Sequence, residues 1–312
     1  MLRGLRAALR ILLALVALAA AGASTGAPAA TPIAAVIVMS DPAPAYDEAM
    51  SALRETLERL MPDTRPSVID WQNLSTLGPR QAVVTIGTQA ARAVAESNYR
   101  GPVLHALVPH SGFEWLGSGR RGQVSAIFID QPAERQIALI REALPDWRRV
   151  ALLAGPASAG IAQSLSQAAR EQRLQPMTEQ ARSDEGLYAA LQKLLAEPAV
   201  LVATPDPNVF NSYTIQNILL TAYRQRSPVI GYSPAYVRAG AVLAIYSTPR
   251  QIGIHAAEIL SAQLAGASLP APQSCRYFEV ATNPHVARSL GITLESAEGI
   301  RDRLLNNAEA ER

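Results

Sequence analysis

Short runs of β-branched and aliphatic residues alternate along this chain with longer stretches whose apolar positions recur every three or four residues. The short runs read as strands buried on both faces, the longer ones as amphipathic helices. Strands are predicted over residues 34–39, 67–71, 82–86 and 103–108. Helices are predicted over 45–60, where Met50, Leu53, Leu57 and Leu60 share a face, and over 88–96. The pattern then begins again. Strands are predicted over 124–129, 149–154, 199–203, 228–232, 241–246 and 277–280, and helices over 132–144, 157–173, 187–195, 209–224, 248–264 and 296–305. Alternation of this kind predicts an α/β protein built from doubly wound parallel sheets with helices on both faces.

The strands fall into two groups of about five, which suggests two successive α/β lobes. Size agrees, because the 312-residue chain, even with about 30 residues set aside at its start, exceeds what one core usually fills. Proline- and glycine-rich loops at residues 110–122 and 233–240 are the expected crossing regions. No repeat at a solenoid period is present.

The N-terminus breaks the pattern. Arg3, Arg6 and Arg10 precede eleven consecutive apolar residues, Ile11 to Ala21, and small residues follow. A basic start, a short apolar run and A-x-A-like sites read as a secretory signal peptide over residues 1–30. A bilayer span needs about 20 apolar residues, so a membrane anchor is the weaker reading. Removing those three arginines from the 28 basic residues leaves 25 against 26 acidic ones. That balance supplies no field to recruit nucleic acid or acidic lipid. The single cysteine, Cys275, lies far from the leader. It can form no internal disulfide and offers no thiol cluster, and it reads as a half-buried strand residue.

Motifs that would signal catalysis lack their context. Gly117 to Gly122 matches G-x-G-x-x-G but leads into a strand, whereas a dinucleotide site needs a helix start there. Gly155 to Gly160 resembles a nucleophile elbow with Ser158 one place late. The histidines, His105, His110, His255 and His285, show no metal-ligand spacing. No cofactor, metal or catalytic group is expected. A hydrolase reading would rest on Ser158 or His110.

What remains is a set of polar residues at strand ends, where open parallel sheets bind ligands. Ser40 and Asp41 follow the first strand, and Gly87 and Thr88 follow the third at a helix start. Asp206 and Asn208 follow the strand at 199–203, and Tyr232 and Ser233 follow the strand at 228–232. Helix starts suit anionic groups, although Thr88 and Asp206 also read as plain N-caps. His110, Ser158, Tyr236 and Tyr246 complete the candidate ligand-binding set, the tyrosines offering apolar cover with a polar tip.

Several segments carry a family resemblance: VVTIGTQAARAV (83–94), FIDQPAERQIALIREALPDWRRVALLAGP (128–156), VLVATPDPNVFN (200–211) and PVIGYSPAYVRAGAVLAIYSTPRQIGIHAAEIL (228–260). Their order resembles the ABC-transporter substrate-binding proteins of the tryptophan-transporter-like group, over nearly all of the chain beyond the leader. The resemblance implies a type I periplasmic binding fold: two lobes joined by three crossing segments, with a hinge and a ligand cleft between them. The lobes it implies span 31–124 with about 244–278, and 125–243 with about 279–312. It implies that Thr88 holds a ligand carboxylate and that Asp206 meets an ammonium. It also implies an ABC permease in the inner membrane as partner, a small polar or amino-acid-like ligand, a periplasmic location and a monomer. The chain departs from amino-acid-binding relatives by having Ser233 and Pro234, and Ser247 to Pro249, where those carry acids. Neither tryptophan nor phenylalanine is therefore assigned. The other reading is a periplasmic sensor that passes its ligand state to a membrane signalling partner without transport.

Overall fold

The computed structural model describes residues 34–310 apart from 80, 114–115, 117–123 and 182–183. The predicted leader and the Gly117 to Gly122 motif lie outside the described residues. From its start the chain forms β1 (Ala35–Met39), α1 (Pro44–Leu60), β2 (Ser67–Asp70), β3 (Ala82–Ile86), α2 (Thr88–Glu96), β4 (Val103–Val108) and β5 (Val124–Phe128). A second series follows: α3 (Ala133–Ala143), β6 (Arg149–Ala154), α4 (Ala159–Glu171), β7 (Gln175–Gln180), α5 (Asp184–Leu194), β8 (Val200–Val202), α6 (Ile215–Arg224), β9 (Val229–Gly231), α7 (Pro234–Ala239) and β10 (Leu243–Tyr246). The last part comprises α8 (Pro249–Leu264), β11 (Gln273–Ser274), β12 (Glu279–Thr282), α9 (Pro284–Ser289) and α10 (Ala297–Ala310).

These strands make two six-stranded sheets, ordered β11-β5-β4-β3-β1-β2 and β12-β10-β9-β8-β6-β7. Every pairing is parallel except that of β12 with β10. The period-2 alternation of a strand explains why each sheet needs helices on both faces. In β1, Ala35, Ile37 and Met39 pack toward α1 and α8, while Val36 and Val38 pack toward α2. In β6, Val150, Leu152 and Ala154 meet α3 and α4, while Ala151 and Leu153 meet α5 and α6. The helix α8 returns to the first lobe and lies against α1. Gly253 makes that approach possible, since a Cβ there would stand 2.2 Å from the Ala49 carbonyl oxygen.

The chain passes between the sheets at residues 129–132, 247–248 and 275–278. It does not cross at the two loops expected to do so. The stretch 110–122 connects β4 to β5 within one sheet, and 233–240 holds α7 between β9 and β10 of the other. In the second stretch Pro234 opens α7 and Gly240, at φ 121°, closes it. The chain leaves the first sheet after Phe128 rather than at 124, and the second after Tyr246 rather than at 244. Strand pairing decides this: β5 registers with β4 through Val103↔Val124, and β10 with β9 through Leu243↔Ile230.

Hydrogen bonds stitch the three crossings together. Gln131 Nε2 donates to Ser247 Oγ (2.8 Å), which donates to the Tyr277 carbonyl (2.6 Å). Arg135 Nη1 donates to Gln131 Oε1 (2.7 Å) and to the Cys275 carbonyl (2.9 Å), and its guanidinium lies over the Phe278 ring.

Two further differences have local causes. The helix predicted from 209 begins at Ile215, because Asn211 Oδ1 accepts from the N–H groups of Tyr213 and Thr214 and holds a turn there. Strand β7 was not expected, since its sequence QPMTEQ is polar; it pairs on one edge only, where water covers the other. Among the described residues, no helix is long and apolar enough to cross a membrane.

Candidate functional site

A cleft of about 1200 Å³ opens where the two lobes and the crossing segments meet. The first lobe contributes Glu48, His110, Ser111, Phe128 and Gln273, the crossings Ile129, Asp130, Gln131, Ser247 and Thr248, and the second lobe Gln163, Gln167, Tyr232, Ser233 and Tyr246. Strand ends place much of this lining, as the topology requires of open parallel sheets.

At the end of β4 the backbone bulges. The register shifts between Ala106 and Val108, and Leu107 takes φ 57°, a left-handed conformation that costs a leucine energy. The bulge lies just ahead of Pro109 and His110. The His110 ring then packs edge-on to Phe128 at 4.8 Å, and Phe113 packs edge-on to Phe128 at 5.4 Å. The His110 backbone N–H donates to Asp130 Oδ2 (2.6 Å). Burial pushes the Asp130 carboxyl above the usual carboxylate range, opposed by that N–H and by the His110 charge.

On the facing lobe, Tyr236 donates its hydroxyl to that of Tyr232 (2.7 Å), and Tyr232 reaches the cleft. Burial raises the pKa of both phenols, as it does that of Tyr246, where Glu279 adds to the effect. All three therefore present neutral hydroxyls.

Of the residues expected at the site, the structure brings His110, Tyr232, Ser233 and Tyr246 together in the cleft lining. Tyr236 stands behind Tyr232 and is buried. Ser40, Asp41, Gly87 and Thr88 gather at the start of α2 and are not among the lining residues. They serve one another there. Ser40 Oγ accepts from the Ala90 N–H (2.9 Å), so the helix start expected to hold a ligand anion already has a protein acceptor. Asp41 Oδ1 accepts from Trp71 Nε1 (2.9 Å). Gly87 has φ 89° and sits so close to Ser40 and Tyr46 that a side chain there would collide with both.

Asp206 departs furthest from expectation. It is 1% exposed. Its Oδ2 accepts from Ser158 Oγ (2.9 Å) and the Ala157 N–H (3.0 Å), and its Oδ1 from the Asn208 N–H (2.9 Å). This carboxylate holds two loops of the second lobe together rather than opening on the cleft. Ser158 is buried, donates to Asp206 and accepts from the Gly155 N–H. Its hydroxyl is thus engaged with a structural carboxylate, and His110 belongs to the other lobe. Asn208 is exposed and outside the lining.

Sequence reasoning missed Asp130, Gln131, Ser247 and Thr248. A signal existed: the run IFIDQP places polar residues directly after an apolar strand, the same criterion that selected Asp206. A boundary drawn at 124 obscured it. Among the described residues, no group of His, Cys, Asp or Glu could hold a metal ion.

Residues 72–309 match the family described as ABC transporter substrate binding protein, whose members bind substrates and are not enzymes. None of the curated proteins matches this chain. Among solved structures, the chain is similar to a conserved domain protein from Vibrio cholerae (19% identity, 88% of this chain and 98% of that one, TM-score 0.57). It is also similar to an ABC domain in complex with L-Trp from Streptococcus pneumoniae (16% identity, 86% and 98%, TM-score 0.58). A third likeness is to the ligand-free, open structure of a Clostridium difficile substrate binding protein with adhesive properties (14% identity, 85% and 97%, TM-score 0.68). At these identities the likeness is one of fold, the type I periplasmic binding arrangement of two parallel α/β sheets.

Proposed function

Because this chain belongs to the ABC transporter substrate binding protein family, we propose that it is the exported ligand-capturing subunit of an ABC importer. It takes a small polar or amino-acid-like ligand into the cleft between its lobes. The observation that carries this reading is the cleft itself: about 1200 Å³, lined from both lobes and from the crossing segments. Ligand pockets commonly have volumes of about 300–1,000 Å³, and an open cleft shrinks as it closes. The L-Trp held by the Streptococcus pneumoniae protein supports an amino-acid-like ligand for this fold.

The lobes are residues 34–128 with 249–274, and 133–246 with 279–310. They close by small backbone rotations at the crossings, where few residues absorb the change. The ties among Gln131, Ser247 and the Tyr277 carbonyl keep the three segments moving as one hinge. The leader over residues 1–30 directs export, the protein acts as a periplasmic monomer, and the permease in the inner membrane receives its ligand.

Native mass spectrometry of the purified exported protein tests the reading by detecting a carried ligand. Placing tryptophan at Ser233 fills the cleft from the second lobe and is expected to abolish retention of that ligand while the protein stays folded. Retention unchanged in this variant places the ligand elsewhere and ends the proposal.

A further inference from the structure

Two side chains of α8 fasten the third crossing to the first lobe. His255 is 5% exposed, and its Nδ1 accepts from the Arg276 N–H at 3.4 Å. That bond is long and therefore weak. The Tyr277 ring stands edge-on to the imidazole at 6.3 Å and helps to cover it. Glu258, three residues further along the helix, is a neighbour of His255 on the helix surface. Its Oε1 accepts from the Tyr277 hydroxyl (2.7 Å) and meets the Arg276 guanidinium, which also donates to that hydroxyl (2.8 Å). Its Oε2 is buried and has no hydrogen-bond partner among the described residues. Two other holds on this crossing come from elsewhere, Ser247 from the second crossing and Arg135 from the second lobe.

The hold through His255 requires a neutral imidazole. A protonated Nδ1 carries its own hydrogen and no longer accepts from the Arg276 N–H, and it sets a second cation beside the Arg276 guanidinium. Glu258 Oε2 is an idle acceptor on the same helix for the new N–H. The charges acting on the ring are Arg276 and, after it, Glu258. On the crossing, the Cys275 thiol and the Tyr277 phenol stay neutral, because burial raises both. From α1, Glu55 is paired with Arg250. The strand residues packed against α8, Leu104, Ala106 and Ile127, carry no charge. We propose that His255 and Glu258 form an acid-operated clip on the hinge: while His255 is neutral the third crossing follows the first lobe, and proton uptake frees it, so that the lobes turn more easily about the other two crossings. This rests on the two-lobe capture reading above. Burial, and then the Arg276 charge, hold the pKa of the clipped ring at about 4, against 6.5 for a ring in water. The open clip therefore takes the proton more tightly, and acid favours it. The effect is absent above about pH 6.5, grows as the pH falls and reaches roughly 300-fold below about pH 4.

Hydrogen exchange of the full exported chain, read by mass spectrometry from pH 7 to 4.5 and corrected for the intrinsic pH dependence of exchange, tests the clip. Protection over residues 273–280 is expected to fall by roughly 50-fold across that range, while residues 149–154 in the core of the second lobe hold theirs. His255→Gln keeps an acceptor for the Arg276 N–H that does not titrate, and it is expected to remove the pH dependence. Spin labels at Ser51→Cys and Ser212→Cys, exposed positions on the two lobes, read the hinge, since the buried Cys275 takes no label. Interlobe distances are expected to spread more widely at pH 4.5 than at pH 7, and equally at both in His255→Gln. Protection over 273–280 that stays level overturns the proposal, as does protection lost in step with 149–154, which marks global unfolding. A pH dependence that persists in His255→Gln overturns it too, because another group then titrates. Clip opening with unchanged interlobe distances removes its role in the hinge. The wild-type profiles decide these points even where His255→Gln does not fold. The capture reading fails by a separate sign, ligand retention unchanged in Ser233→Trp at pH 7, where the clip is closed.

Discussion

Two aspartates, Asp130 and Asp206, each follow an apolar parallel strand closely, one after β5 and one after β8. Both fit the same sequence criterion for a ligand-facing carboxylate. Asp206 is buried behind three protein donors, whereas Asp130 is only partly buried, accepts from the His110 N–H and lines the cleft. A carboxylate whose acceptor sites are filled by its own chain is a structural tie, and its removal is felt as lost stability. A carboxylate with an open site in a closing cleft carries a standing cost that a ligand can remove. Position after a strand is common to both; burial and access to the cleft separate them.

The sharpest way to break this comparison is Asp206→Ala. It leaves the Ala157 and Asn208 N–H groups and the Ser158 hydroxyl without their acceptor, and a loss of about 3 kcal/mol in urea-unfolding stability is expected. A variant of unchanged stability that loses only ligand affinity would return Asp206 to the binding site.

An acid titration sharpens the same point on a buried group of the first lobe. His255 is 5% exposed, and burial and then the Arg276 charge lower its pKa from 6.5 to about 4. The unfolded chain therefore takes up a proton first. The stability associated with neutral His255 is complete above about pH 6.5 and is lost as pH falls through 4, by about 3 kcal/mol in all. Urea midpoints measured from pH 7 to 4 are expected to fall accordingly, and His255→Gln to flatten that part of the profile.

Ser158→Ala removes one donor to Asp206 and the acceptor of the Gly155 N–H, at a cost of about 1–2 kcal/mol. A hydrolytic activity abolished by this change would contradict the structural role given to Ser158. The smallest expected effect has the opposite sign. Asp130→Asn is expected to stabilise the ligand-free protein, because burial already disfavours the Asp130 charge. A melting temperature that falls would mean that Asp130, like Asp206, is a structural tie.

Much of the fold was legible in the chain. The strands 82–86, 103–108 and 149–154 and the helix 88–96 form over the residues predicted, because continuous β-branched runs and a three-to-four periodicity need no knowledge of neighbours. Edge strand β7 was not legible, since a strand with one wet edge can be polar. The lobe boundaries were misplaced because apolar strands look alike until they pair. The cleft was legible only in part: the strand-end criterion picked Tyr232 and Ser233, which line it, and it equally picked Ser40, Thr88 and Asp206, whose neighbours engage them or set them apart from the cleft.

The sequence by itself determined the two-sheet α/β plan, the strand ends as the place of polar chemistry, and membership of a binding family, since all three follow from local patterns read along one dimension. Only the tertiary structure decided which crossing segments join the lobes and which carboxylate lines the cleft. Those outcomes depend on donors that arrive from distant parts of the chain, such as the Ala157 N–H on Asp206 and the His110 N–H on Asp130, and no local pattern records where they will stand.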